Sequence, residues 1–196
     1  MNAILRFAGR MLPFMACAFP PLLIWRGLRV RALRRRRIYT TVGHEALLML
    51  FLLFLVGVAS LTVLPLISWE GGPHIIPVQG TGGLNLLPFR VIEQTRYEVL
   101  VNGNSNYFLI NFVGNIVMFL PIGFCIPLLW RLKPGWAVAV GTACSLFIEL
   151  MQLRLARGTD VDDLILNTLG ALLGMLSYLL FRKVAPKLCE ACKMKP

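Results

Sequence analysis

Residues Ala46 to Ile67 form a run of 22 residues without one charged side chain. As a helix rising about 1.5 Å per residue, the run is about 33 Å long, enough to cross the ~30 Å hydrocarbon layer of a bilayer. In lipid every backbone N–H and C=O must bond within its own segment, so a lone apolar run of this length folds as a helix. Two further runs, Asn111 to Trp130 and Pro134 to Leu153, are separated only by a hinge at Arg131-Leu132-Lys133-Pro134 and should pack as an antiparallel pair. A last segment, about Leu164 to Phe181, is interrupted by Asn167, Thr168 and Ser177 and ends on Arg182-Lys183, a usual cationic stop at a membrane surface. The fold expected is therefore an all-α, polytopic transmembrane helix bundle of four spans with an N-terminal fifth.

That fifth segment, Met11 to Trp25, is shorter and contains Pro13, Pro20 and Pro21. A kinked span, a re-entrant piece and an interfacial segment all suit it. A cleaved leader is a lesser reading, because no small-x-small site leads into a polar mature start. The chain divides into an apolar segment and basic loop over 1–45, a transmembrane region over 46–182 with a long loop at 68–108, and a basic tail over 183–196. The loop carries turn signals at Gly71-Gly72-Pro73, Gly80-Thr81-Gly82-Gly83 and Asn102-Gly103-Asn104, and no domain of its own is expected there.

Hydrophobic residues make up 57% of the chain and charged residues 15%, which excludes an ordinary soluble domain. The net charge of +11 does not point to nucleic acid, because its densest run, Arg34 to Arg37, directly precedes an apolar block. Basic residues beside a span are retained in the cytoplasm and attract anionic headgroups of membrane lipids. With the Arg26–Arg37 loop inside, 14 of the 20 Lys and Arg residues fall on that side, so the C-terminus should be cytoplasmic. The loop at 68–108 and the turn Arg154 to Val161 are then outside. Of the five cysteines, Cys189 and Cys192 form a C-x-x-C in the tail, which supplies only two of the four ligands of a structural zinc.

Polar groups inside a span are costly and call for partners, and here they line up. Ser145, Glu149 and Gln152 are spaced i, i+4, i+7 on one helical face, and Asp163, Asn167, Gly170 and Gly174 form a second stripe. Gly170-x-x-x-Gly174 permits another helix to approach closely. Asn111 and Asn115 share a face of the preceding span, where Pro121 removes the donor to the Val117 carbonyl and should kink the helix; Pro65 should act likewise. In the turn Arg157-Gly-Thr-Asp160-Val-Asp162-Asp163, Arg157 can neutralise part of a carboxylate cluster, and Asp160 or Asp162 can cap the last helix. Oxygen ligands could hold Mg²⁺ or Ca²⁺, but the spacing selects neither, and His44 and His74 stand apart from the cluster. No metal or cofactor is named on this basis.

Five elements together resemble a known family: Asn85-Leu-Leu-Pro-Phe89, Asn115-x-x-x-Phe119-x-Pro121-x-Gly123, Glu149-x-x-Gln152, Arg157-x-x-Asp160-x-Asp162-Asp163, and Asn167-x-x-Gly170-x-x-x-Gly174. In their order across three helices the chain resembles the VanZ-like family. The resemblance implies a multi-pass bacterial plasma-membrane protein, related to proteins associated with resistance to teicoplanin and other lipid-tailed glycopeptides. It supplies no mechanism.

Three functions follow as alternatives. An interaction protein would bind an amphiphile, such as a lipoglycopeptide or a lipid-linked cell-wall precursor, through the polar constellation Asn85, Arg90, Asn111, Asn115, Glu149, Gln152, Arg157, Asp160, Asp162, Asp163 and Asn167. A membrane-embedded hydrolase or transferase would use Glu149 as general base on a lipid-linked precursor. A transporter would need a polar path, whereas Leu128 to Trp130 and Leu176 to Phe181 are nearly free of polar groups.

Overall fold

The computed structural model describes residues 3–64, 67–68, 72, 74–75, 83–155 and 158–193. The elements run α1 (Ala3–Arg35), α2 (Val42–Thr62), β1 (Ile67–Ser68), β2 (His74–Ile75), β3 (Leu84–Asn85), α3 (Arg90–Leu100), α4 (Ser105–Tyr107), a π-helical segment (Phe108–Val113), α5 (Gly114–Leu129), α6 (Gly135–Arg154), β4 (Thr159–Asp160), α7 (Val161–Val184) and α8 (Pro186–Ala191). Among the described residues, five helices are long and apolar enough to cross a membrane: Phe7–Arg35, Val42–Thr62, Phe108–Leu129, Gly135–Leu153 and Val161–Val184. The fold is an all-α transmembrane bundle.

The N-terminal segment is one continuous helix, although Pro13, Pro20 and Pro21 each lack the N–H that would bond the carbonyl four residues back. It pairs antiparallel with α2. At one end Arg26 donates twice to the Glu45 carboxylate, at 2.9 and 2.7 Å; toward the other, Met11 and Met15 lie against Gly57. Thr41 caps α2 by accepting from the His44 amide, which sets the helix start ahead of the apolar block. The tail is folded onto this end of the bundle: Thr41 Oγ1 donates to the Ala191 carbonyl at 2.6 Å, and His44 Nδ1 bonds the Cys192 carbonyl at 2.7 Å. Cys189 is buried beside Tyr178 and Leu128, so the C-x-x-C supplies packing at α8.

Helix α5 is the centre of the bundle. Phe119 and Leu129 are fully buried on it, and Ile122, Cys125 and Ile126 join them in a core shared with Leu48, Phe51 and Val58 of α2 and Ala137 and Ile148 of α6. Because lipid tails are as apolar as these side chains, helices associate in a bilayer through close packing and hydrogen bonds more than through burial alone. The closest packing is between α5 and α7. A Cβ added at Gly170 would collide with the Ile116 carbonyl oxygen, one at Gly174 with that of Leu120, and one at Gly123 with that of Ala171. Pro121 lies within α5 at this contact; Pro65 lies outside the described residues.

Because backbone oxygens cannot swing aside as side chains can, Gly170→Ala and Gly174→Ala should each destabilise the bundle by about 1–3 kcal/mol. Thermal melts in detergent should show lowered midpoints, with Gly135→Ala, whose Cβ would meet nothing within 4 Å, as the unchanged control.

Candidate functional site

The long loop contains more order than its turn signals suggest. After Gly83 the chain forms a two-residue parallel bridge with the α6–α7 turn, Leu84 opposite Thr159 and Asn85 opposite Asp160, and the Thr159 amide donates to the Gly83 carbonyl at 3.0 Å. It then turns through Phe89, whose φ of 69° lies in the left-handed region, and enters α3. For a non-glycine residue that conformation costs about 1–2 kcal/mol, so something must hold it.

Asp162 holds it. One of its carboxylate oxygens accepts from the Phe89 amide and the other from the Val91 amide, and the side chain is only 2% exposed. These are the amides a helix start leaves without partners, and an anion there also meets the favourable end of the α3 dipole. Asp160 serves two segments at once: its Oδ1 accepts from the Asp162 amide, capping α7, and from Asn85 Nδ2, each at 2.9 Å. Asn85 Oδ1 in turn accepts from the Leu87 amide at 3.2 Å. Asn85, Asp160 and Asp162 thus work together to fasten the Asn85–Phe89 stretch and the start of α3 to the end of the bundle.

Beneath them, Glu149 is 5% exposed; its Oε2 accepts from the Asp160 amide at 3.0 Å and its backbone carbonyl from Thr159 Oγ1 at 3.2 Å. Asn115 Nδ2 donates both to the Asp163 carboxylate and to the Asn111 carbonyl, while Asn111 Nδ2 donates to the Tyr107 carbonyl. Asn167 Nδ2 donates to Ser145 Oγ at 2.9 Å, and one turn deeper the Thr142 and Thr168 hydroxyls meet at 3.2 Å, so a polar seam runs between α6 and α7. Asn167 Oδ1 is buried without a hydrogen-bond partner. Gln152 reaches the Thr62 carbonyl at 3.5 Å, a weak bond that ties α6 to α2. Arg157 lies outside the described residues, and among those described no Lys or Arg pairs with these carboxylates. Nor do three His, Cys, Asp or Glu side chains of the described residues gather as a metal centre.

Two open grooves flank α3. One, about 490 Å³, is apolar and lined by Ile92, Thr95, Arg96, Val99, Leu100 and Phe108. The other, about 500 Å³, is the more polar of the two and is lined by Arg90, Glu93, Gln94, Tyr97, Glu98 and Tyr107. Arg90, a member of the expected constellation, lines the second groove. Tyr107 donates to Gln94 Oε1 at 3.1 Å, and burial, followed by the charges of Glu98, Asp160 and Asp163, pushes its phenol above the usual tyrosine pKa. The polar groove is therefore next to the carboxylate layer and within its negative field. The other groove residues carried no motif. Their signal was the 11-residue run Arg90–Leu100, free of Gly and Pro, with Val91, Thr95 and Val99 recurring at helical spacing.

A model of the VanZ/LLP1 family matches residues 47–182, the greater part of the chain and all of this constellation. The chain belongs to the VanZ/LLP1 family. No curated protein and no solved structure matches it. The matched region takes in α3, the carboxylate layer beneath it and the glycine contact of α5 with α7, and leaves out all of α1 and the C-x-x-C of α8.

Asp162→Ala would strip two amides of their shared acceptor, a loss of about 1–3 kcal/mol, and release the strained Phe89 turn. Hydrogen exchange should then rise across residues 84–100, while the buried amides of α5 and α7 stay protected.

Proposed function

We propose that this VanZ/LLP1 protein binds an amphiphile of the bacterial cell envelope at the outer face of the plasma membrane, with α3 as its seat, and through that binding contributes to resistance to teicoplanin and other lipid-tailed glycopeptides. The observation that carries this reading is the pair of grooves on one amphipathic helix, apolar on one flank and polar on the other. Ligand sites are concavities of a few hundred Å³ that combine apolar walls with a few polar groups, and an amphiphile needs both kinds of wall side by side. Phe108, in the wall of the apolar groove, also opens a membrane-spanning helix, so an acyl chain there would continue into lipid.

The basic residues support an outward position for α3. They concentrate at the ends of the bundle away from it, at Arg26–Arg37, Arg131–Lys133 and after Phe181. Leu86, Leu87 and Phe89, exposed beside α3, suit the headgroup boundary, where apolar side chains dip toward acyl tails. The ligand classes that fit are a lipoglycopeptide antibiotic and a lipid-linked cell-wall precursor. A hydrolase or transferase with Glu149 as base draws less support, because the Glu149 carboxylate is engaged by the Asp160 amide beneath the turn.

Ile92→Asp places a charge in the apolar wall at an exposed position, where it should leave the fold intact. In cells it should lower the teicoplanin tolerance conferred by the wild-type chain, and in nanodiscs it should weaken teicoplanin binding about tenfold or more. Unchanged binding and unchanged susceptibility would count against α3 as the seat.

A further inference from the structure

We infer that the polar groove along α3 receives a saccharide head that carries no phosphate, either uncharged or bearing an amine. This rests on the amphiphile-binding reading above and narrows it to glycosylated lipid-tailed molecules. Sugars present hydroxyls around their rims and C–H groups on their faces. The groove offers both complements: the rings of Tyr97 and Tyr107 as flat walls, and the carboxylates of Glu93 and Glu98 with the Gln94 amide as hydrogen-bonding groups. Tyr97 is 58% exposed, so its ring is open to a ligand.

Charge decides against phosphate. Within the groove one guanidinium, Arg90, faces two carboxylates, and Asp160 and Asp163 act on Tyr107 from below. A phosphate monoester or diphosphate entering there would meet like charge, which costs affinity, whereas a neutral or cationic head would not. The place where a helix would ordinarily receive a phosphate, its N-terminal amides, is already filled in α3 by the Asp162 carboxylate. The other arginine of α3, Arg96, stands in the apolar groove. The described structure thus provides acceptors where a sugar would donate and blocks the obvious anion seat.

The test uses the full-length protein in phosphatidylcholine nanodiscs and three probes that share one diacylglycerol tail: diacylglycerol, monoglucosyl-diacylglycerol and phosphatidylglycerol, with occupancy read by native mass spectrometry. The glucosyl lipid should bind about tenfold tighter than diacylglycerol, and phosphatidylglycerol should gain nothing over it. Tyr97→Leu and Glu93→Gln should erase the preference for the sugar while leaving diacylglycerol occupancy and the melting temperature unchanged. Equal binding of all three, or tighter phosphatidylglycerol than glucosyl lipid, would overturn the inference while an Ile92→Asp-sensitive tail signal kept the amphiphile reading alive. No Ile92→Asp-sensitive binding by any probe or by teicoplanin would sink both.

Discussion

The contact between α5 and α7 governs what the rest of the molecule can do. Glycines at 123, 170 and 174 let the two backbones meet at carbonyl distance, because a Cβ at each would strike a backbone carbonyl of the facing helix. That proximity brings Asn115 of α5 against Asp163 of α7, and Asp162 in the first turn of α7 is buried. A carboxylate in such a place is tolerated only with donors at hand, and each carboxylate of the cluster has at least one.

From that layer the functional face is built outward. Glu149 holds the Asp160 amide, Asp160 holds Asn85 and the α7 start, and Asp162 holds the first amides of α3. Each acidic side chain spends its acceptors on a different chain segment, so a short loop helix with few buried residues of its own gains a fixed position. As proposed, α3 is where the ligand rests, and the carboxylates act as positioning residues that also colour the polar groove with negative charge.

The spans were legible in the sequence because a charge-free run of about 20 residues has few alternatives to a membrane helix. The glycine stripe at 170 and 174 was legible as a packing face, but its partner was not, since spacing along one helix says nothing about which neighbour approaches. The role of Asp162 was hidden for the same reason. Its partners, Phe89 and Val91, are more than 70 residues away, and only the parallel pairing of Leu84–Asn85 with Thr159–Asp160 brings the two together. Helix α3 itself was masked by the glycine-rich turns before it and the Asn-Gly-Asn after it. The N-terminal prolines left a kinked span, a re-entrant piece and an interfacial segment open; α1 is one helix long enough to span, because a helix packed along α2 can lose individual backbone bonds without breaking.

We propose that α3, held from below by carboxylates, is the surface on which an amphiphile rests. Hydrogen exchange of the full-length protein in nanodiscs, with and without saturating teicoplanin, tests it most directly. New protection should be confined to residues 86–100 and 107–108, with exchange in the α6–α7 seam at 145–167 unchanged. Protection that appears in that seam and leaves α3 untouched would contradict it.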